Sequence, residues 1–224
     1  MFDLYIANKN YSSWSLRPWI LMQQLGIPFV EHLVSFSAGS NWHDFRRFSP
    51  TGKVPCLHDG DVNIWDSLGI AEFLAEHYPA VWPAEAAARA WARCASAEMH
   101  SGFGALREQC SMNCAVEIRL HAMPAELQKD IARIEELWCE GIEKFGGPFL
   151  AGAPFTAVDA FFCPVAFRVQ TYGIKLNDTA ATYAQRLLNL PAMQQWQAAA
   201  LLEPLEAEHE NGCLRYGTLV ASKR

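Results

Sequence analysis

The chain predicts an α/β domain of order βαβαββα followed by an all-α helical bundle, and three observations carry that reading. Short apolar or alternating runs, separated by turn residues, fill residues 1–80. A stretch holding Pro79 and Pro83, residues 78–84, then divides two different periodicities and reads as a linker. Beyond it, over residues 85–210, apolar side chains recur at helical spacing between Gly, Pro and Asn punctuation, with no strand signal of comparable strength.

Taken in order, residues 4–7 are a short apolar run that reads as a strand, followed by a polar loop over residues 8–13. Residues 18–25 read as a helix that Gly26 stops, with Pro28 beyond. Residues 29–34 alternate apolar and polar, so a second strand and a parallel β-α-β unit are expected. A loop rich in Ser, Gly and Asn (35–41) leads to a short amphipathic piece (42–48). Residues 54–57 and 62–65 then flank the turn signal His58-Asp59-Gly60-Asp61, a hairpin pattern. Leu68, Ala71, Leu74 and Ala75 place a helix over residues 67–77, which Pro79 stops. The bundle is expected from segments 85–109, 124–145, 157–172, 179–188 and 191–200.

Composition narrows the class of function. With 224 residues, 51% of them hydrophobic, eight Trp and thirteen Phe, the chain has ample apolar surface for a core. A net charge of −6 with scattered basic residues removes the electrostatic footprint of a nucleic-acid binder. No run of eighteen apolar residues and no basic-then-apolar leader pattern occurs, so neither a membrane nor a targeting signal is expected. Seven cysteines, never spaced C-x-x-C, suggest neither a disulfide framework nor a zinc site, which fits a reducing cytoplasm.

Three places in the first half suit chemistry. The run Asn10-Tyr11-Ser12-Ser13-Trp14-Ser15 lies between the first strand and the first helix. Its hydroxyls suit a helix cap, and the helix end also favours an anion by roughly 0.3–1 kcal/mol at exposed sites. A thiolate held there would gain from the helix end and from a hydroxyl hydrogen bond, both of which lower its pKa. Next, Gly52-Lys53-Val54-Pro55 leads into a strand. A proline there is either an ordinary strand start or a cis turn that leaves neighbouring backbone groups free for a ligand. Finally, Trp65-Asp66-Ser67 joins a strand to a helix, where Ser67 either caps the helix or binds a carboxylate together with the helix-end amides.

The order of these three motifs resembles the glutathione S-transferase superfamily across nearly the whole chain. Ser12-Ser13-Trp14-Ser15-Leu16-Arg17 is similar to the Ser-Ser-Cys-x-x-Arg element of the zeta class, with Ser12 at the position of the catalytic serine. The likeness continues through Ser49-Pro50-x-Gly52-Lys53-Val54-Pro55 and through Asp66-Ser67-x-x-Ile70-x-x-Phe73-Leu74. It implies a thioredoxin-like N-terminal domain, glutathione as co-substrate with no metal, and a homodimer. Ser12 is then the hydrogen-bond donor to the glutathione thiolate, which attacks a small electrophilic, largely apolar substrate. Val54 offers backbone to the peptide through a cis Val-Pro bond, Asp66 and Ser67 hold the γ-glutamyl end, and Lys53 attracts a carboxylate. Arg17 orients the loop. Trp14 replaces the cysteine associated with isomerase chemistry, which turns the expectation from isomerisation toward conjugation. Glutathione-dependent isomerisation, peroxide reduction and a noncatalytic partner-binding module are the alternatives. Trp14 itself is either a wall of the substrate cleft or a core tryptophan.

In the helical half, Thr156-Ala157-Val158-Asp159 reads as a capping box, which the resemblance also implies for the family's buried helix. Capping bonds alone would make Asp159→Ala cost about 0.5–2 kcal/mol. Pro164 predicts a kink in that helix. Glu98, His100 and Arg107 are not assigned to catalysis, and Met99 and Phe103 fit an ordinary core stripe better than a substrate pocket.

Overall fold

A computed structural model describes residues 1–224. The first half runs β1 (Phe2–Ile6), α1 (Ser13–Gln24), β2 (Phe29–Leu33), α2 (Trp42–Phe45), β3 (Cys56–Asp59), β4 (Val62–Trp65) and α3 (Ser67–His77), the predicted βαβαββα order. Its sheet has the order β2-β1-β3-β4, with β1 parallel to β2 and the hairpin β3-β4 antiparallel to β1. The register follows from burial: Phe2, Leu4 and Ile6 all point into the core, a period of two.

α1 starts earlier than its apolar pattern does, so Ser13, Trp14 and Ser15 belong to its first turn and not to the loop. The cause is tertiary: α1 is buried almost throughout, with Leu16, Trp19 and Ile20 packed between the sheet and the helical half. Gly26, at φ +64°, ends the helix in the left-handed conformation that glycine adopts without a Cβ penalty.

After a turn at Pro79–Val81 the second half comprises α4 (Ala86–Ser101), α5 (Gly104–Gln109), β5 (Val116–Leu120), α6 (Ala125–Phe145), α7 (Ala157–Tyr172), α8 (Asp178–Leu188), α9 (Pro191–Leu202), α10 (Ala207–Leu214) and β6 (Gly217–Ser222). It is helical as expected, with two corrections. The segment 85–109 is two helices, because Phe103 takes φ +59° and breaks the ladder after Gly102. The second correction is a two-stranded antiparallel sheet of β5 and β6, where no strand was expected. Each strand is short and gains its hydrogen bonds from a partner about a hundred residues away, so local sequence carries little of the signal. No helix is long and apolar enough to cross a membrane.

α7 is the axis of the helical half and continues unbroken through Pro164. The capping box forms: Asp159 accepts from the Thr156 N–H (2.9 Å) and the Thr156 hydroxyl (3.4 Å). The same buried carboxylate also accepts from the Leu150 N–H (3.0 Å) and the Tyr183 hydroxyl (2.8 Å), so it ties α7 to α8 and to the preceding loop. One cluster of 54 buried apolar residues runs through both halves, with Trp19 of α1 edge-on to Trp196 of α9 at 5.0 Å. Met99 and Phe103 belong to that core.

Candidate active site

The polar loop after β1 is fastened from several sides. Asn8 Oδ1 accepts from the Phe36 N–H (2.7 Å), and Asn10 Oδ1 accepts from the Cys114 N–H (2.9 Å). The buried Glu203 carboxylate accepts from the amides of Lys9 and Asn10 (2.8 and 3.1 Å), while Trp196 Nε1 donates to the Lys9 carbonyl. Tyr11 donates to Glu210 (2.6 Å), and burial with that bond pushes its pKa up to about 12, so it stays a neutral phenol. The polar residues thus hold the loop rigid.

What they hold in place is Ser12. It occupies the N-cap of α1, yet its hydroxyl makes no capping bond, and no acidic residue lies in the first turn. The helix N-terminus is therefore open to an anion. Ser12 Oγ instead donates to Ser15 Oγ (2.7 Å), which also accepts from the Ala7 N–H (3.3 Å). A hydroxyl is both donor and acceptor and rotates, so this pair can reverse: Ser15 donating to Ser12 frees the Ser12 proton for a ligand. Ser13 accepts from Arg168 (3.4 Å) on the opposite side.

The second motif lies across the cleft. The Val54-Pro55 bond is cis, and neither the N–H nor the C=O of Val54 has an intramolecular partner. Lys53 beside it is exposed and makes no ion pair or hydrogen bond within the chain. Gly52, at φ +63°, lies under the Trp42 ring, where a Cβ would stand 2.5 Å from the indole.

At the third motif the roles of two neighbours are exchanged relative to one expected reading. Asp66, not Ser67, caps α3, accepting from the Leu68 N–H at 2.9 Å. Asp66 sits at φ +69°, a conformation rarely adopted by residues other than glycine, which marks the turn as over-determined by its surroundings. Ser67, buried, is left to accept from Arg17 Nη1 (3.3 Å). Because its oxygen takes that donor, its own proton points elsewhere and is available to a carboxylate.

Arg17 is the link that sequence reading assigned only to loop orientation. Its guanidinium is 2% exposed, joins α1 to Ser67 and to the Met99 carbonyl, and leaves Nε without a partner. Burial, then the neighbouring Arg107 and Arg168, push its pKa well down. It stacks under Trp14 at 4.1 Å, while Arg107 stacks on the same indole at 4.7 Å. Trp14 is thus half-buried and forms a wall of the cleft. His100, edge-on to Trp14, lies 3.5 Å from Asp66, and burial lowers its pKa against the pull of that carboxylate.

Three hollows meet at Trp14. One of about 500 Å³ is lined by Lys53, Val54, Pro55, Asp66 and Ser67. A second, of about 580 Å³, holds Ser12 together with Lys53 and Val54, and a third, of about 360 Å³, shares Tyr11, Ser13, Trp14 and His209 with it. The predicted site residues therefore converge: Lys53, Val54, Asp66 and Ser67 share one hollow, and Ser12 opens on the next, which shares Lys53 and Val54 with it. Tyr11, named in the first motif without a role, lines the site beside Ser12, and the residues the sequence did not point to, Arg168 and His209, reach it through tertiary contacts. The one local signal for any of them is an arginine inside the apolar run of α7.

A four-stranded sheet with its cis-proline loop facing the starts of α1 and α3, fused to a helical half, defines a thioredoxin-like two-part architecture. Residues 11–77 match the family described as Glutathione S-transferase, N-terminal domain. That stretch, about a third of the chain, is where the sequence likeness to the glutathione S-transferases is concentrated. The chain is 36% identical over 59 residues to a dichloromethane dehalogenase of Methylorubrum extorquens, covering 25% of this chain but about a fifth of that protein's length. It is 27% identical over 164 residues to the glutathione S-transferase theta-1 of Mus musculus, covering 66% of this chain and 67% of the other. Among solved structures, a glutathione transferase homolog from Burkholderia with bound glutathione superposes with a TM-score of 0.67 at 22% identity, over 89% of this chain and 97% of that one. That likeness shows the fold.

Proposed function

We propose that the chain is a glutathione transferase that joins reduced glutathione to a small electrophile. The observation that carries this reading is the unpartnered N–H and C=O of Val54, facing the Ser67 hydroxyl across one cleft. A peptide needs such a backbone pair on one side and a carboxylate donor on the other. In this reading Val54 pairs with the cysteinyl backbone, Ser67 and the α3 amides hold the γ-glutamyl carboxylate, and Asp66 accepts from its ammonium. Lys53 attracts the remaining carboxylate. Ser12 donates to the sulfur at the open start of α1.

A thiol near its reference pKa of about 8.5 is mostly protonated at neutral pH, so a hydrogen bond and a helix end that lower it raise the reactive fraction. The thiolate then attacks the electrophilic carbon. With a nitro-activated aryl chloride the C–S bond forms first, placing the negative charge on the ring; the C–Cl bond then breaks, chloride leaves with the bonding pair, and the thiol proton has already gone to solvent.

Titration calorimetry with reduced glutathione tests the reading. Binding at millimolar concentration or tighter is expected, and Ser67→Ala is expected to weaken it about tenfold, the worth of one hydrogen bond to a charged group. No heat and no thermal shift at about 100 times a millimolar dissociation constant would remove glutathione from the account. We propose further that the chain works as a homodimer. Val62 and Trp65, exposed on the free edge strand β4, support an apolar contact there, and light scattering would report it.

A further inference from the structure

The hollow of about 360 Å³ beside Trp14 is walled in part by two arginines. Arg107 of α5 and Arg168 of α7 both line it. Arg168 is 4% exposed, and its donors go to neutral oxygens: the Cys110 carbonyl (2.8 Å), the Pro164 carbonyl (3.2 Å) and Ser13 Oγ (3.4 Å). Arg107 donates to the carbonyls of Met99, His100 and Gly102. Neither arginine forms an ion pair with a carboxylate, and neither does Arg17, which also stacks on Trp14. A buried cation without a counter-charge is costly, and three near one another repel. Burial, followed by repulsion from Arg107, lowers the pKa of Arg168 to about 10, so it remains charged at neutral pH.

No carboxylate nearby forms an ion pair with either arginine. Glu210 is taken by Tyr11 and Asn113, and Glu206 by His209. Asp130, which Arg107 feels at a distance, accepts from the Leu106 N–H. Glu208, exposed, is the one carboxylate that lines the hollow, against two arginines. Three flat rings share its walls with small and polar residues: Trp14, Tyr11, and His209 stacked on Tyr11 at 4.9 Å. Trp14 is shared with the hollow that holds Ser12, so a ring seated beside it lies next to the sulfur position of the proposed mechanism.

We infer that this hollow is the second-substrate subsite and that it selects an electrophile carrying an anionic group, a carboxylate or sulfonate, on a flat ring, with Arg107 and Arg168 binding the anion. The inference rests on the glutathione reading for its chemistry, but not for its binding. Guanidinium and carboxylate form charge-assisted, often paired hydrogen bonds, which a neutral amide does not match.

Two measurements on the full chain test it. In the first, 4-chloro-3-nitrobenzoate and 4-chloro-3-nitrobenzamide are compared as electrophiles with glutathione. The kcat/KM ratio is expected to favour the carboxylate by about tenfold or more at low salt and to shrink as salt rises. Arg107→Gln is expected to bring the ratio near one, and Arg107→Lys to retain part of the preference. In the second, 3-nitrobenzoate and 3-nitrobenzamide are titrated by calorimetry, which involves no transfer step. Preferential benzoate binding without conjugation of either chloride would sink the transferase reading and leave the anion subsite standing. Equal binding of benzoate and benzamide overturns the subsite. So does a loss of glutathione affinity in Arg107→Gln that parallels the lost preference, since the arginines would then serve glutathione's own carboxylate.

Discussion

Replacing Asp159 by alanine is expected to cost about 3–5 kcal/mol of folding stability, well above what a helix cap alone is worth. The carboxylate is fully buried and accepts from four donors, the Leu150 and Thr156 amides and the Tyr183 and Thr156 hydroxyls. Alanine leaves all four in the interior without partners, and each orphaned group costs about 1–3 kcal/mol before relaxation. For a chain of this size the melting temperature is expected to fall by roughly 10 °C, read by calorimetry. The same residue gives stability a pH dependence. Burial, opposed by those hydrogen bonds, raises its pKa from 3.8 to about 6. Between these values the folded chain keeps a proton that the unfolded chain has lost, so this group's contribution falls as pH rises from about 4 to about 6. The fall amounts to about 3 kcal/mol at most, and Asp159→Asn is expected to remove it from the pH profile of unfolding.

The second large effect is kinetic. Ser12→Ala is expected to raise the thiol pKa of bound glutathione by about one to two units and to cut kcat/KM about 10- to 100-fold at pH 6.5, while glutathione affinity changes by no more than about threefold. A pH–rate profile separates the two effects, because the variant's rate recovers as pH approaches the higher pKa. Unchanged profile and rate would move the role to another donor. Of the neighbours, Ser13 turns toward Arg168 and Ser15 backs onto the Ala7 amide, which leaves Ser12 as the hydroxyl with a reversible bond.

What was legible in the sequence was local. The element order came from apolar runs and turn residues, and the three motifs meet in space because each sits at the boundary of a strand or a helix. The Asp66 and Ser67 roles were harder to divide, since which residue caps depends on a backbone angle that composition does not show. β5 and β6 were missed because each is a five- or six-residue strand whose partner is remote in sequence. His209 and Glu210, which meet Tyr11, come from α10, a helix with no clear apolar stripe. Arg168 was hidden differently: an arginine in an apolar helix announces that it is special, but not which cavity it faces.

The shared core has a consequence for how the molecule comes apart. Leu16, Trp19 and Ile20 belong to the sheet half by sequence, yet they pack in one cluster with Phe162, Ala166 and Trp196. Residues 1–80 expressed alone would turn that face of α1 to solvent and are unsuited to fold as a separate unit. A ligand bound against the cis-proline loop would then slow amide hydrogen exchange in α7 as well, because the two halves open together.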